Sequence, residues 1–111
     1  MKVIIALWNL DNSSQTIESL REYLRNGGVA PWESIKGLRL KLWISDANNN
    51  VWGAVLLWES AEYMTQKLPP HRAMDLIGYP PNIRFVFDVE ATIEGDFSLQ
   101  FLKNLGLSFE E

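Results

Sequence analysis

The chain alternates between short apolar runs and polar breaks, and the period of each run assigns it to a strand or a helix. Lys2 to Asn9 is apolar at nearly every position, with Val3, Ile5 and Leu7 on one side and Ile4, Ala6 and Trp8 on the other. A strand covered on both faces is predicted there. Ser13 or Ser14 can cap a following helix, in which Ile17, Leu20 and Leu24 recur at three and four until Gly27-Gly28 end it. From Gly37 the pattern changes, because Leu38, Leu40, Leu42 and Ile44 alternate with Arg39, Lys41 and Trp43. That two-residue period predicts a second strand. Asn48-Asn49-Asn50 supply a hairpin turn, since Asn accepts positive φ, and Val51 to Trp58 returns as a third strand. Ser60 is placed to cap a short helix containing Met64, which Pro69-Pro70 stop, and His71 to Ile77 make another helical turn or two. A fourth strand is predicted from about Ile83 to Thr92, and Asp96 can cap a last helix carrying Phe97, Phe101, Leu102 and Leu105.

Strand, helix, strand, strand, helix, strand is the order of an α+β, ferredoxin-like split βαβ unit, with four antiparallel strands and helices on one face. Residues 1–111 form one domain in this reading, with no long linker or repeat. The face without helices is expected to present Ile4, Ala6 and Trp8, then Arg39, Lys41 and Trp43, then Val86, Asp88 and Glu90. A lone subunit would expose too much apolar surface there, so a second copy is expected to cover it and enclose a space between two sheets.

Charge and composition remove several function classes. Ten basic against fourteen acidic residues give a net charge of −4, with no basic cluster, which argues against nonspecific nucleic-acid or anionic-membrane binding. No cysteine is present, so disulfide and thiolate chemistry are excluded, and one histidine excludes a multi-imidazole metal site within a subunit. The first apolar run stops at Asn9 without a small-residue cleavage site, so it is read as a strand rather than a signal peptide. A cytoplasmic protein is expected. No glycine-rich phosphate loop or calcium-loop pattern occurs.

Three stretches carry a family resemblance: Gly37-Leu38-Arg39-Leu40-Lys41-Leu42-Trp43, the return Trp52-Gly53-Ala54-Val55-Leu56-Leu57-Trp58-Glu59-Ser60, and Phe87-Asp88-Val89-Glu90. Together they resemble the small monooxygenases related to the antibiotic-biosynthesis monooxygenases, within the dimeric α+β barrel superfamily. The resemblance implies a homodimer whose sheets form a barrel and a cavity for an aromatic or polyketide-like compound. It also implies oxygen addition without flavin, haem or metal, so no cofactor is expected. The chain departs from the family pattern at Gly53-Ala54, where Gly-Gly is usual, and in lacking a complete Asn-Trp-His catalytic set.

Individual residues carry both a chemical and a structural reading. Trp43 and Trp8 can stack on a flat substrate or fill a subunit interface. Arg39 and Lys41 can hold a phenolate or enolate, or else pair with Asp88 and Glu90. Asn9 can orient a substrate oxygen or satisfy the strand end, and Tyr79 can close a cavity rim or simply pack. His71 is the side chain that ordinarily titrates near neutrality and so the candidate general base. The expected function is a cofactor-independent monooxygenase acting on a small aromatic or polyketide-like molecule and oxygen. The alternative is a non-catalytic small-ligand-binding or stress-response protein on the same barrel.

Overall fold

Each of the four apolar runs forms a strand, and their pairing is set by which of them are apolar on both sides. The computed structural model describes residues 1–70 and 72–110. In chain order the regular elements are β1 (Lys2–Asn9), α1 (Ile17–Tyr23), β2 (Leu38–Asp46), β3 (Val51–Trp58), α2 (Ala73–Ile77) and β4 (Ile83–Asp88). The sheet runs β2-β3-β1-β4 with antiparallel neighbours throughout, which is the ferredoxin-like order. Doubly apolar β1 and β3 take the centre, while β2 and β4 form the edges. Among the described residues no helix is long and apolar enough to cross a membrane.

The helix ends differ from expectation in ways the side chains explain. Thr16, not Ser13 or Ser14, caps α1: the Ser19 N–H donates to Thr16 Oγ1 at 3.0 Å and the Thr16 N–H to Ser19 Oγ at 2.8 Å. Ser13 Oγ instead donates to the Ile77 carbonyl at 2.9 Å, tying the approach of α1 to the end of α2. A wide turn at Leu24–Gly28 closes α1, with Gly27 at φ +106°. Ser60 precedes a 3-10 turn, Ala61–Thr65, without capping it. Its Oγ is buried with no hydrogen-bond partner among the described residues. At the far end β4 stops at Asp88 rather than Thr92, and the last helix is replaced by two 3-10 turns, Leu99–Leu102 and Leu107–Phe109. Asn104 at φ +61° and Gly106 at φ +120° break the backbone between them.

The two faces of the sheet are the reverse of those expected. Ile4, Ala6, Trp8, Trp52, Ala54, Leu56 and Trp58 are buried. They pack with Ile17, Leu20 and Leu24 of the first helical segment, with Trp32 and with Ile77. Register puts Lys41 opposite Leu56 and Trp43 opposite Ala54, so both belong to this covered side. The open side carries Val3, Ile5 and Leu7, flanked by Leu57, Val55 and Gly53 on β3 and by Phe87, Phe85 and Ile83 on β4. Leu40, Leu42 and Ile44 of the β2 edge complete it. Phe85 and Phe87 are each 49% exposed and Leu42 is 42% exposed, so this face is apolar and uncovered within one chain. The apolar residues on both sides of β1 leave its parity open. The cations of β2 lie not on the open face but on the covered side, where the long Lys41 side chain runs along aromatic surface.

Candidate functional site

The covered side of edge strand β2 builds the site. A bulge between Leu38 and Leu40 sets Leu38 opposite Trp58, and Arg39 forms an ion pair with Glu59. Beyond the bulge Lys41 and Trp43 keep the covered side. Opposite Trp43 lies Ala54, itself paired with Ala6, and these two small side chains leave a flat floor for the indole. Trp43 therefore touches both halves of the core. The second wall is Trp32, brought in by the 3-10 turn Ala30–Trp32, where Pro31 presets the backbone. The two indoles meet edge to face, with centroids 6.5 Å apart and planes at 84°.

Lys41 Nζ lies 3.2 Å from the Trp32 ring centroid and 4.6 Å from that of Trp43. It opens onto a cleft of about 700 Å³ whose lining includes Trp32, Lys41, Trp43, Trp52, Leu102 and Leu107. The C-terminal turns form the outer wall, held by the Lys103–Glu33 ion pair and by Arg25 Nη1 donating to the Ser108 carbonyl at 3.2 Å. No carboxylate pairs with Lys41 among the described residues. Withdrawal of its amine from water, with repulsion from the Arg72 guanidinium, lowers its pKa from 10.5 to about 7. The indole faces oppose this by attracting the ammonium form. The cleft thus holds an amine whose basicity is lowered toward neutrality.

The other candidate residues are dispersed. Arg39 lines the cleft, but its charge is met by Glu59. The expected pairing of Arg39 and Lys41 with Asp88 and Glu90 does not form, because β2 and β4 are opposite edges of the sheet; Asp88 pairs with Lys2. Trp8 is buried beside α1 and α2, and its Nε1 donates to the Tyr79 carbonyl at 2.9 Å. The Asn9 side-chain oxygen accepts from the Asp11 N–H at 2.8 Å, while the Tyr79 hydroxyl donates to the Asn9 carbonyl. These three residues lock the end of β1 against the loop before β4 and do not line the cleft. His71 lies outside the described residues.

Two contributors carry little signal in the sequence. Trp32 follows Pro31 shortly after the Gly27-Gly28 helix end, a fixed aromatic that no period links to β2. Arg72 had no visible partner in the sequence and acts on Lys41 only through the fold. No protein-family model matches the chain, and no curated protein matches it.

Proposed function

We propose that the chain is a homodimeric barrel protein whose cleft binds a flat, weakly acidic aromatic molecule, a phenol or enol, and that Lys41 removes its proton and holds the anion. The observation carrying this reading is the position of the Lys41 amine, between two indoles and without an acidic partner among the described residues. Indole walls suit a flat π-system, and a volume of about 700 Å³ falls in the range of small-molecule sites. Neutral Lys41 accepts the proton, and the resulting ammonium lies beside the new anion, which low local polarity strengthens.

The family resemblance supplies the next step. An enolate formed by loss of a proton from a CH2 group can give an electron to oxygen and combine with it at that carbon as a peroxide. Loss of water then leaves a carbonyl, so R2CH2 + O2 becomes R2CO + H2O with both atoms of oxygen accounted for. The chain's own contribution is to position the ring, take the proton and stabilise the anion. Oxygen uptake by the purified protein with a tricyclic ketone bearing an enolisable CH2 tests this directly. One oxygen consumed per carbonyl formed is expected, with a rate about 10² lower in Lys41→Met, the scale of a lost general base. A rate equal to that without protein, or an unchanged Lys41→Met rate, contradicts it.

Support for the homodimer comes from the open face. Leu42, Phe85 and Phe87 are exposed together with apolar neighbours on all four strands, more than a lone soluble chain ordinarily leaves uncovered. The tail adds Ile93, 95% exposed, and Phe97, 79% exposed. A second reading, a non-catalytic carrier of the same ligand class, is favoured by Asn9 and Tyr79, whose polar groups are engaged at the end of β1 and not at the cleft. Tight binding without oxygen uptake would select it.

A further inference from the structure

We infer that Lys41 is also a nucleophile, able to capture a planar aromatic aldehyde or ketone as an imine inside the indole cleft. This deepens the ligand reading above and rests on it. Three features of the geometry converge on the Lys41 nitrogen. It stands over the Trp32 ring at 3.2 Å and beside the Trp43 ring at 4.6 Å, so an aromatic ring bound among the indoles brings an attached carbonyl carbon towards Nζ. It opens onto an accessible cleft rather than a closed core. And among the described residues no carboxylate meets it, whereas the other cations of that surface are paired: Arg39 with Glu59, Arg21 and Arg25 with Glu18, and Lys103 with Glu33. Arg72 adds a like charge and no proton acceptor.

The step needs no oxidant or reductant. The nitrogen lone pair attacks the carbonyl carbon, the C=O π pair moves to oxygen, and a proton passes from nitrogen to oxygen to give a carbinolamine. The C–O bond then breaks as that oxygen takes a second proton and leaves as water. For an aldehyde, R–CHO and the Lys41 amine give R–CH=N–Lys41 and H2O. A protonated imine remains a cation and keeps the attraction of both indole faces.

At pH 7 an ordinary exposed lysine is free amine in only about one part in 2,500, whereas a group titrating at about 7 is half free. That difference makes the test selective. Full-length protein is incubated at pH 7 with 2-hydroxybenzaldehyde and sodium cyanoborohydride, which reduces an imine to a stable amine, and the modified residues are located by peptide mass mapping. Peptide mapping separates Lys41 from the N-terminal amine and from Lys2, Lys36, Lys67 and Lys103. The expected result is labelling of Lys41 at least about 10-fold above any other lysine at pH 7, with the advantage lost by pH 10. Labelling spread evenly over the lysines, or sparing Lys41, overturns the inference. Binding of 2-hydroxybenzyl alcohol, which has the same ring and hydroxyl but no carbonyl, is followed in parallel by tryptophan fluorescence. If the alcohol binds and the aldehyde does not label Lys41, the imine inference fails while the ligand reading stands. If neither engages the cleft, both fail. Because the mapping uses the unaltered chain, no folding defect of a variant confuses the outcome.

Discussion

Lys41 Nζ sits 3.2 Å from the centre of the Trp32 ring, on the covered side of an edge strand. Neither residue has this role without the other. The edge position gives the long side chain a path along aromatic surface toward the cleft, and the indole replaces part of the water that the ammonium loses. Burial and the Arg72 charge still outweigh ordinary lysine basicity and bring the pKa to about 7.

Stability should therefore depend on pH through Lys41. Its folded-state pKa lies below its unfolded value of 10.5, so between about pH 7 and 10.5 the unfolded chain holds a proton that the folded chain has released. Stability rises with pH across that window, by at most about 1.4 kcal/mol per unit for one proton, and the full penalty applies below pH 7. Lys41→Met removes this component. Urea unfolding at fixed protein concentration should show the variant gaining most over the parent near pH 6 and losing that advantage as pH rises toward 10.

Replacing Trp32 with Leu keeps an apolar side chain but removes the ring. Affinity for a flat phenol should fall by about 2- to 13-fold, the worth of an aromatic contact of about 0.5–1.5 kcal/mol. Fluorescence or calorimetric titration reads the change. Trp8→Leu lies away from the cleft and should leave affinity near that of the parent while reducing stability.

The open face predicts its own variant. Phe85→Asp places a charge beside Ile5 and Phe87 on the exposed apolar surface. Sedimentation should find the parent dimeric and this variant monomeric or strongly weakened, since a buried unpaired charge is costly. Phe85 is 49% exposed in the single chain, so the subunit itself should still fold.

Gly53 fixes how closely three strands approach. A Cβ there would stand 2.5 Å from the Ala6 carbonyl oxygen and 2.6 Å from Leu7 Cδ2. Gly53→Ala should cost about 1–3 kcal/mol by overpacking, read as a lower unfolding midpoint.

How far the sequence reaches is clear from these same residues. Strand order follows from patterning: β1 and β3, apolar on both sides, belong in the centre, and the Asn48–Asn50 turn sets β2 against β3. Trp43 and Lys41 stand out early because their alternation with leucines is strict. Which face they occupy is not legible, since a doubly apolar strand fits either parity and a lysine can bury its stem on the helix side. The partner of Lys41 is equally hidden. Trp32 comes from a proline-bearing turn nine residues earlier, with no period linking it to β2, and the long-range edge assignment removes Asp88 from reach. The missing C-terminal helix is likewise hidden, because an apolar pattern alone does not reveal that the backbone leaves helical geometry at Lys103 and takes positive φ at Asn104 and Gly106.

An NMR titration of the Lys41 ¹³Cε resonance reads both the lowered basicity of this amine and its response to an acidic aromatic ligand. In the free protein the inflection should fall near pH 7, and saturation with 2-naphthol should move it upward, because an anion beside Nζ favours the ammonium. An inflection near pH 10 that does not respond to the phenol would show that Lys41 is an ordinary lysine without a role in binding the anion.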